Sequence, residues 1–186
     1  GLILAGGLGR RMGGVDKGLQ PLDGRRLVDR VIERLAPQVD TLLVNANRNL
    51  DVYAALGHPL VTDRIAGFAG PLAGIHAGLA ACTTPWLATA PCDAPFLPPD
   101  LVARLRAALE SQASRIAVAR TADGMQPTFA LMRCDVLASL TDYLAAGGRR
   151  IQDWCRSLPL AIVDFADAAA FANINSPADL TASPRV

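Results

Sequence analysis

The sequence predicts an α/β protein with three layers (α/β/α), in which helices cover both faces of a mostly parallel central sheet. Short apolar runs alternate with helical patterns along the chain, which is typical of a layered α/β domain. The first apolar run leads directly into a glycine-rich segment, and glycines at the end of a strand let the backbone turn sharply. The chain has 186 residues, of which 51% are hydrophobic and 5% aromatic. A core of Ala, Leu and Val is therefore large enough for a single domain over residues 1–186.

The strands are predicted from short apolar runs that end at polar or turn-forming residues. In chain order they cover residues 2–5, 41–44, 60–62, 86–90, 116–120, 128–132 and 161–165. Gly124 marks the turn between the fifth and sixth of these strands.

The helices are predicted between the strands, where apolar residues recur with helical spacing. They cover residues 27–35, 50–56, 72–82, 98–110, 136–146 and 150–158. Gly70-Pro71 precedes the third helix, and Pro98-Pro99-Asp100 opens the fourth, because proline is tolerated in a first helical turn. Ser176 and Pro177 predict a terminal helix behind them, with the serine as its cap.

The glycine-rich segment after the first strand is the strongest functional signal. Five glycines lie between Gly6 and Gly14, together with Arg10 and Arg11, and Lys17 follows. Backbone N–H groups in such a segment approach a ligand closely, and the three cations select for an anion such as a triphosphate. The alternative is a plain glycine-rich turn whose cations are solvated.

The spacing excludes two common phosphate-binding motifs. A P-loop requires G-x-x-x-x-G-K-[ST], whereas Lys17 is followed here by Gly18. A dinucleotide fingerprint requires G-x-G-x-x-G, and Met12 stands where its third glycine belongs. A dinucleotide-dependent oxidoreductase is therefore disfavoured.

Polar residues follow four of the predicted strands. They are Gly6 with its loop, Asn45 and Asn47, Asp63, and Asp93. In an open α/β sheet, ligands bind beyond the carboxyl ends of the strands, so these residues together predict one site. Taken singly, Asn45 is explained as a helix cap, and Asp63 as a partner of Arg64 or the start of a turn.

Asp93 is the candidate metal ligand. Pro91 and Pro95 stiffen the backbone on either side of it. A rigidly held carboxylate beside a phosphate-binding loop suits Mg²⁺, which takes one or two protein carboxylates together with substrate phosphates and waters. The alternative is an aspartate that only initiates a turn. Cys92 is expected to be a packed thiol rather than a ligand.

These groups indicate a reaction type. Lys17, the arginines of the loop and a metal at Asp93 can neutralise most of a nucleoside triphosphate. No Ser/His/Asp set and no Cys/His pair supplies an obvious nucleophile, and His76 is interpreted as structural. Attack by a second substrate on a phosphorus atom therefore fits, and these residues leave open which phosphorus is attacked.

Composition limits the partners and the compartment. The net charge of +1 argues against duplex nucleic acid as the main partner. The four cysteines form no C-x-x-C pair, so reduced thiols in a cytoplasmic protein are expected rather than a zinc site or disulfides. Neither a signal peptide nor a membrane partner is expected from the apolar runs. Because the chain begins with Gly1 rather than methionine, natural residues are expected to precede it.

The chain also resembles a known family. Leu4-Ala-Gly-Gly7, Arg11-Met-Gly13 and Asp16-Lys17 resemble the opening signature of the nucleotidyltransferases related to A-type glycosyltransferases, which have a Rossmann-like fold. The resemblance is closest to the molybdenum cofactor guanylyltransferases. It covers essentially the whole chain, through residues 44–48, 63, 70–74, 91–93, 126–128 and 173–177.

The resemblance implies a reaction. The terminal phosphate of molybdopterin, carrying molybdenum, would attack the α-phosphate of GTP, so that GMP is transferred and pyrophosphate leaves. It implies Mg²⁺ as the metal at Asp93, and catalytic roles for Arg11, Lys17 and Asp93. Molybdoenzyme-maturation proteins are a further class of partner that it leaves open.

The resemblance also implies which residues bind. The set that it places around GTP and the metal is Leu4, Ala5, Gly6, Gly7, Lys17, Asn45, Asp63 and Asp93. Asn173 and Asn175 match family positions that approach the metal or the pterin, and the alternative for both is a turn before the Ser176 cap. Gly9 stands where the family often has serine, so a hydroxyl contact is not expected there.

Relatives with the same phosphate loop leave other functions open. The nearest alternative is a cytidylyltransferase for the same cofactor, or a sugar-phosphate nucleotidyltransferase. Ala5-Gly6-Gly7, rather than a doubled alanine, favours guanine by family analogy. A non-catalytic carrier of the pterin nucleotide is a different class, against which Lys17 and Asp93 argue.

Overall fold

The computed structural model describes residues 1–7, 15–65, 70–174 and 179. Within these residues the strands are β1 (Leu2–Leu4), β2 (Pro21–Leu22), β3 (Arg25–Arg26), β4 (Leu43–Asn45), β5 (Leu60–Val61), β6 (Trp86–Pro91), β7 (Ile116–Thr121), β8 (Gly124–Arg133) and β9 (Leu160–Asp164). The α-helices are α1 (Leu27–Leu35), α2 (Leu50–Ala54), α3 (Pro71–Ala81), α4 (Leu101–Ser111), α5 (Leu137–Ala145) and α6 (Ile151–Arg156). Short 3₁₀ turns cover Lys17–Leu19, Ala36–Gln38, Cys134–Val136 and Ala169–Phe171. In the described part of the chain, no helix combines the length and the apolar character that crossing a membrane requires.

Seven strands form one sheet in the order β5-β4-β1-β6-β8-β7-β9. The neighbours among β5, β4, β1 and β6 pair in parallel, and β7 pairs in parallel with β9. Strand β8 runs antiparallel to both of its neighbours. The predicted α/β fold with a mostly parallel sheet is therefore confirmed.

Helices cover both faces of this sheet. Most buried residues of α1, α2 and α4 share one hydrophobic cluster with Ile3, whereas most of those of α3, α5 and α6 share a second cluster with Leu2. Because Leu2 and Ile3 are successive residues of β1, their side chains point to opposite faces of the sheet. Each group of helices thus covers a different face, which gives the three predicted layers.

Most predicted elements are present with their ends within two residues of the predicted positions. The exceptions are α4, which begins at Leu101, after both prolines, rather than at residue 98, and β8, which begins at Gly124 rather than at residue 128. Gly124 has a φ of 110°, so the chain reverses tightly and Gly124 already pairs with Thr121 of β7. The predicted terminal helix falls outside the described residues, apart from Asp179.

The small hairpin of β2 and β3 was not predicted. Its strands have only two residues each, which is too short for an alternating apolar pattern. The turn itself carries a signal, since Asp23 and Gly24 have φ values of 50° and 77° and Asp-Gly is a common hairpin turn.

Candidate active site

Four parallel strands end side by side along one edge of the sheet. In register, Leu4 of β1 pairs with Asn45 of β4 and with Pro91 of β6, and Asn45 pairs with Val61 of β5. The residues within or just beyond these strand ends therefore lie along one edge, as ligand-binding residues of open α/β sheets do. We call this row the polar edge; it consists of Gly6, Asn45, Asn47, Asp63 and Asp93.

Asp63 joins the two asparagines of the polar edge. Its Oδ1 accepts a hydrogen bond from Asn45 Nδ2, and its Oδ2 accepts one from Asn47 Nδ2, both at 2.9 Å. The backbone N–H of Asp63 donates to Asn47 Oδ1, also at 2.9 Å. Among the described residues these amides, and not Arg64, are the partners of the Asp63 carboxylate. The structure thus brings together three of the residues that the sequence predicts for one site.

Two glycines leave room for the side chain of Asn45. A Cβ on Gly74 of α3 would lie 2.3 Å from Asn45 Oδ1, and a Cβ on Gly6 would lie 2.9 Å from the same atom. One turn later in α3, a Cβ on Gly78 would lie 2.4 Å from a Leu2 methyl carbon. Helix α3 therefore approaches β1 and β4 closely because it presents glycines to them. Asn45 Oδ1 faces a narrow gap between two glycine backbones.

Lys17 and Asp93 form an ion pair at the polar edge. Lys17 Nζ donates to Asp93 Oδ2 at 3.2 Å, and the side chains are 22% and 11% exposed. Burial raises the pKa of the Asp93 carboxyl, and the nearby Lys17 ammonium offsets only part of this effect. Two of the charged groups that the sequence predicts for the site are thus in direct contact.

Asp93 has the chemistry of a ligand for a hard divalent cation. The described residues contain no group of three or more His, Cys, Asp or Glu side chains that could hold a metal ion. A single buried carboxylate still fits Mg²⁺, because that ion takes much of its coordination from substrate phosphates and water. The neighbouring Cys92 is buried, and burial raises the pKa of its thiol well above the ordinary value. Cys92 is therefore a packed, protonated thiol, as predicted.

A second polar network lies next to Lys17 and was missed by the sequence analysis. The Asp16 side chain is almost fully buried, and it accepts hydrogen bonds from Tyr53 Oη at 2.7 Å and from Asn49 Nδ2 at 2.9 Å. Arg48 Nε lies 3.6 Å from Asp16 Oδ2. We call these four residues, Asp16, Arg48, Asn49 and Tyr53, the Asp16 network. The only sequence signal was the place of Asp16 beside Lys17 in the opening motif.

The candidate binding residues at the end of β1 lie at the polar edge. Leu4 is the last residue of β1, and Ala5 is buried and donates its N–H to the carbonyl of Asn45 at 2.8 Å. Gly7 is exposed two residues further on. These residues offer mainly backbone groups to a ligand.

The candidates near the C-terminus and in the loop are only partly described. The backbone N–H of Ile174 donates to the carbonyl of Asp93 at 2.8 Å, which brings the exposed Asn173 to the polar edge. Arg11 and Asn175, as well as Arg10, lie outside the described residues.

His76 and the free cysteines do not belong to the hydrogen-bond networks described above. His76 Nε2 lies 3.1 Å from Thr141 Oγ1, and this contact joins α3 to α5, in agreement with a structural role. The cysteines at positions 82, 92, 134 and 155 are all free.

The chain matches a family and close relatives over most of its length. A family model described as "MobA-like NTP transferase domain" matches residues 1–160. The chain is 54% identical to a protein of Cupriavidus taiwanensis and 50% identical to one of Bordetella pertussis, both named molybdenum cofactor guanylyltransferase. These matches cover 98% and 97% of this chain, and 94% and 93% of the two relatives.

Solved structures have a similar fold. The molybdopterin-guanine dinucleotide biosynthesis protein A of Archaeoglobus fulgidus is similar with a TM-score of 0.80 and 24% identity, covering 97% of this chain and 94% of that chain. The 4-diphosphocytidyl-2C-methyl-D-erythritol synthase of Anaerococcus prevotii is similar with a TM-score of 0.77 and 13% identity, covering 97% and 91%. At these identities the likeness concerns the fold alone.

Proposed function

The chain belongs to the MobA-like NTP transferase family, and from this premise we propose that it transfers GMP from GTP to the terminal phosphate of molybdenum-bearing molybdopterin. The names of its relatives support this function over transfer of another base and over a non-catalytic carrier. The observation that carries the proposal is the ion pair of Lys17 with Asp93 on the same edge as the Asn45–Asp63 contact. This edge offers a cation and a metal-binding carboxylate for a triphosphate, and hydrogen-bonding groups for a base.

In the proposed reaction, a phosphate oxygen of molybdopterin attacks the α-phosphorus of GTP. A new P–O bond forms while the bond from the α-phosphorus to the bridging oxygen of the β-phosphate breaks, and pyrophosphate leaves with that electron pair. Lys17 binds the triphosphate and neutralises charge that develops on its oxygens. Arg11 is proposed to share this role. Lys17 is held beside Asp93 before the nucleotide binds, and it exchanges this partner for phosphate afterwards.

Asp93 is proposed to hold Mg²⁺. The bound ion supplies charge neutralisation and polarisation of the α-phosphate. Asp93 contributes one oxygen ligand, which its position behind the rigid end of β6 directs towards the polar edge. The raised pKa of its carboxyl reflects burial without a full counter-charge, so a second cation at this place is favoured electrostatically.

Asn45 and Asp63 are proposed to bind the guanosine part of GTP. Each carboxylate oxygen of Asp63 accepts one hydrogen bond from an asparagine and keeps further acceptor capacity. Guanine presents two adjacent donors, N1–H and the 2-amino group, that such a carboxylate can accept. Cytosine presents an acceptor at N3, so the same carboxylate disfavours it.

Backbone groups and the C-terminal asparagines complete the proposed site. Leu4, Ala5, Gly6 and Gly7 are proposed to line the nucleotide with backbone groups. Asn173 and Asn175 are proposed to approach the metal or the pterin, and the bond from Ile174 N–H to the Asp93 carbonyl supports this for Asn173.

We propose that residues 1–186 act as one nucleotidyltransferase domain in the cytoplasm. The free cysteines support a reducing compartment. The proposed substrates are GTP and molybdenum-bearing molybdopterin, with molybdoenzyme-maturation proteins as recipients of the product and neither nucleic acid nor membrane as a partner.

The test is release of pyrophosphate from GTP, CTP and ATP, each with Mg²⁺ and molybdenum-bearing molybdopterin. We expect kcat/KM for GTP to exceed that for the other nucleotides by at least about tenfold. A site whose acceptors match the donors of guanine rejects a base that lacks those donors. Equal or faster release from CTP would refute guanylyl transfer. Tight binding of GTP without pyrophosphate release would identify a carrier instead.

A further inference from the structure

We propose that Tyr53 is a positioning residue for Lys17. It acts through Asp16 and Gly18, the two residues that flank Lys17 in the sequence. The proposal rests on the proposed function, in which Lys17 binds the triphosphate. Tyr53 lies in α2 and is fully buried, so its sequence context alone indicates only a core residue.

The first contact of Tyr53 is with the residue before Lys17. Its hydroxyl donates to Asp16 Oδ1 at 2.7 Å, and the Asp16 side chain is only 6% exposed. A buried carboxylate requires hydrogen-bond donors, so this bond holds Asp16 in one place. Burial also raises the pKa of the Tyr53 hydroxyl, which keeps it protonated and able to donate.

The second contact of Tyr53 is with the residue after Lys17. A Cβ on Gly18 would lie 2.6 Å from Tyr53 Oη, so the hydroxyl lies directly against the Gly18 backbone. The 3₁₀ turn Lys17–Leu19 is further tied to the Asp16 carbonyl, which accepts from Leu19 N–H at 3.3 Å. The backbone of Lys17 is thus held on both sides by one hydroxyl, while its Nζ reaches Asp93.

Through Arg48, the Asp16 network also contacts residues near the two ends of the glycine-rich segment in the sequence. Its Nη2 donates to the carbonyl of Gly7 and to the carbonyl of Val15, each at 3.1 Å. Its Nε faces the Asp16 carboxylate that Tyr53 also binds. A single network therefore fixes the positions of Gly7, Val15 and Lys17 relative to one another.

A double-mutant cycle separates this role from that of an ordinary core residue. Tyr53→Phe keeps the ring and removes only the hydroxyl, and Lys17→Gln removes the cation. The dissociation constant of GTP in the presence of Mg²⁺ is measured by titration calorimetry for the natural chain, both single variants and the double variant. Circular dichroism selects a temperature at which all four are folded.

We expect Tyr53→Phe to weaken GTP binding about threefold to tenfold when Lys17 is present, and less than about twofold in the Lys17→Gln background. The matched control is Tyr143→Phe, whose hydroxyl donates to the exposed carbonyl of Arg150 at 3.0 Å. It is expected to leave GTP affinity unchanged in both backgrounds.

An equal loss of GTP affinity in both backgrounds overturns the proposal, because Tyr53 would then act independently of Lys17. No loss of GTP affinity in the chain that keeps Lys17 also overturns it. If Tyr53→Phe does not fold, Asp16→Asn enters the same cycle with the same expectation. A natural chain that prefers CTP refutes guanylyl transfer only, and the cycle run with CTP still decides the role of Tyr53. A natural chain that binds no nucleotide refutes both.

Discussion

Two ion pairs of this molecule place an aspartate in opposite electrostatic situations. Asp93 is mostly buried and has one 3.2 Å contact with Lys17, and burial raises the pKa of its carboxyl. Asp164 is exposed and pairs with Arg120 through two hydrogen bonds, one of them 2.8 Å from Nη2 to Oδ2, and this pairing lowers the pKa of its carboxyl. The surface pair favours the ionised aspartate, whereas the site of Asp93 opposes it. A carboxylate kept in an unfavourable place is what a ligand-binding role predicts.

The largest expected effect is on catalysis. Asp93→Asn removes the charge proposed to hold the metal, so the rate of pyrophosphate release from GTP is expected to fall about a hundredfold to a thousandfold. Asp164→Asn is the matched control, because it makes the same chemical change at the exposed pair. Its rate is expected to stay within about twofold of the natural chain. Similar rates for the two variants would contradict a ligand-binding role for Asp93.

The next effect concerns how tightly the polar edge is packed. An exposed helical Gly→Ala change stabilises a protein by about 0.5–1 kcal/mol. Gly74→Ala is expected to lower the free energy of unfolding by about 1–3 kcal/mol instead, because its Cβ would lie 2.3 Å from Asn45 Oδ1.

The matched control for packing is Gly7→Ala. Among the residues that the structure describes, a Cβ on Gly7 would meet nothing within 4 Å, so its effect is expected to stay within about 0.5 kcal/mol. Urea unfolding of both variants measures the difference. A Gly74→Ala variant as stable as the natural chain would mean that α3 can move away from Asn45 at no cost.

Local patterns allowed much of the fold and part of the site to be predicted. The sheet strands follow from short apolar runs, and Asp93 stood out because it lies between Pro91 and Pro95 at the end of such a run. That Lys17 and Asp93 belong to one site followed from the shared edge of parallel strands. Their direct pairing is a finding of the structure.

The Asp16 network could not be predicted, for a physical reason. Asp16 and Tyr53 are 37 residues apart, and their contact depends on how the short helix α2 packs against the turn at Lys17. From the sequence alone, Tyr53 is interpreted as a core residue because its ring is apolar. The partner of its hydroxyl is determined only by tertiary packing. Hydrogen bonds between distant segments leave no periodic trace in the sequence.

The smallest expected effect is the pH dependence of stability, and its sign differs between the two aspartates. The folded-state pKa of Asp93 is raised above 3.8, so the stability that it contributes below pH 3.8 is lost as the pH rises through the raised value. The Asp93→Asn variant does not lose stability in this way, because asparagine does not ionise. Its melting temperature relative to the natural chain is therefore expected to increase as the pH rises above 3.8.

Asp164 is expected to behave in the opposite way. Its folded-state pKa is lowered below 3.8, so its contribution is present above pH 3.8 and is lost as the pH falls through the lowered value. Asp164→Asn should therefore melt below the natural chain near neutral pH and approach it in acid, by a small amount because the pair is exposed. Thermal unfolding of both variants from about pH 3 to 7 measures the two slopes. If the melting-temperature difference from the natural chain changed with pH in the same direction for both variants, the folded structure would not oppose the ionisation of Asp93.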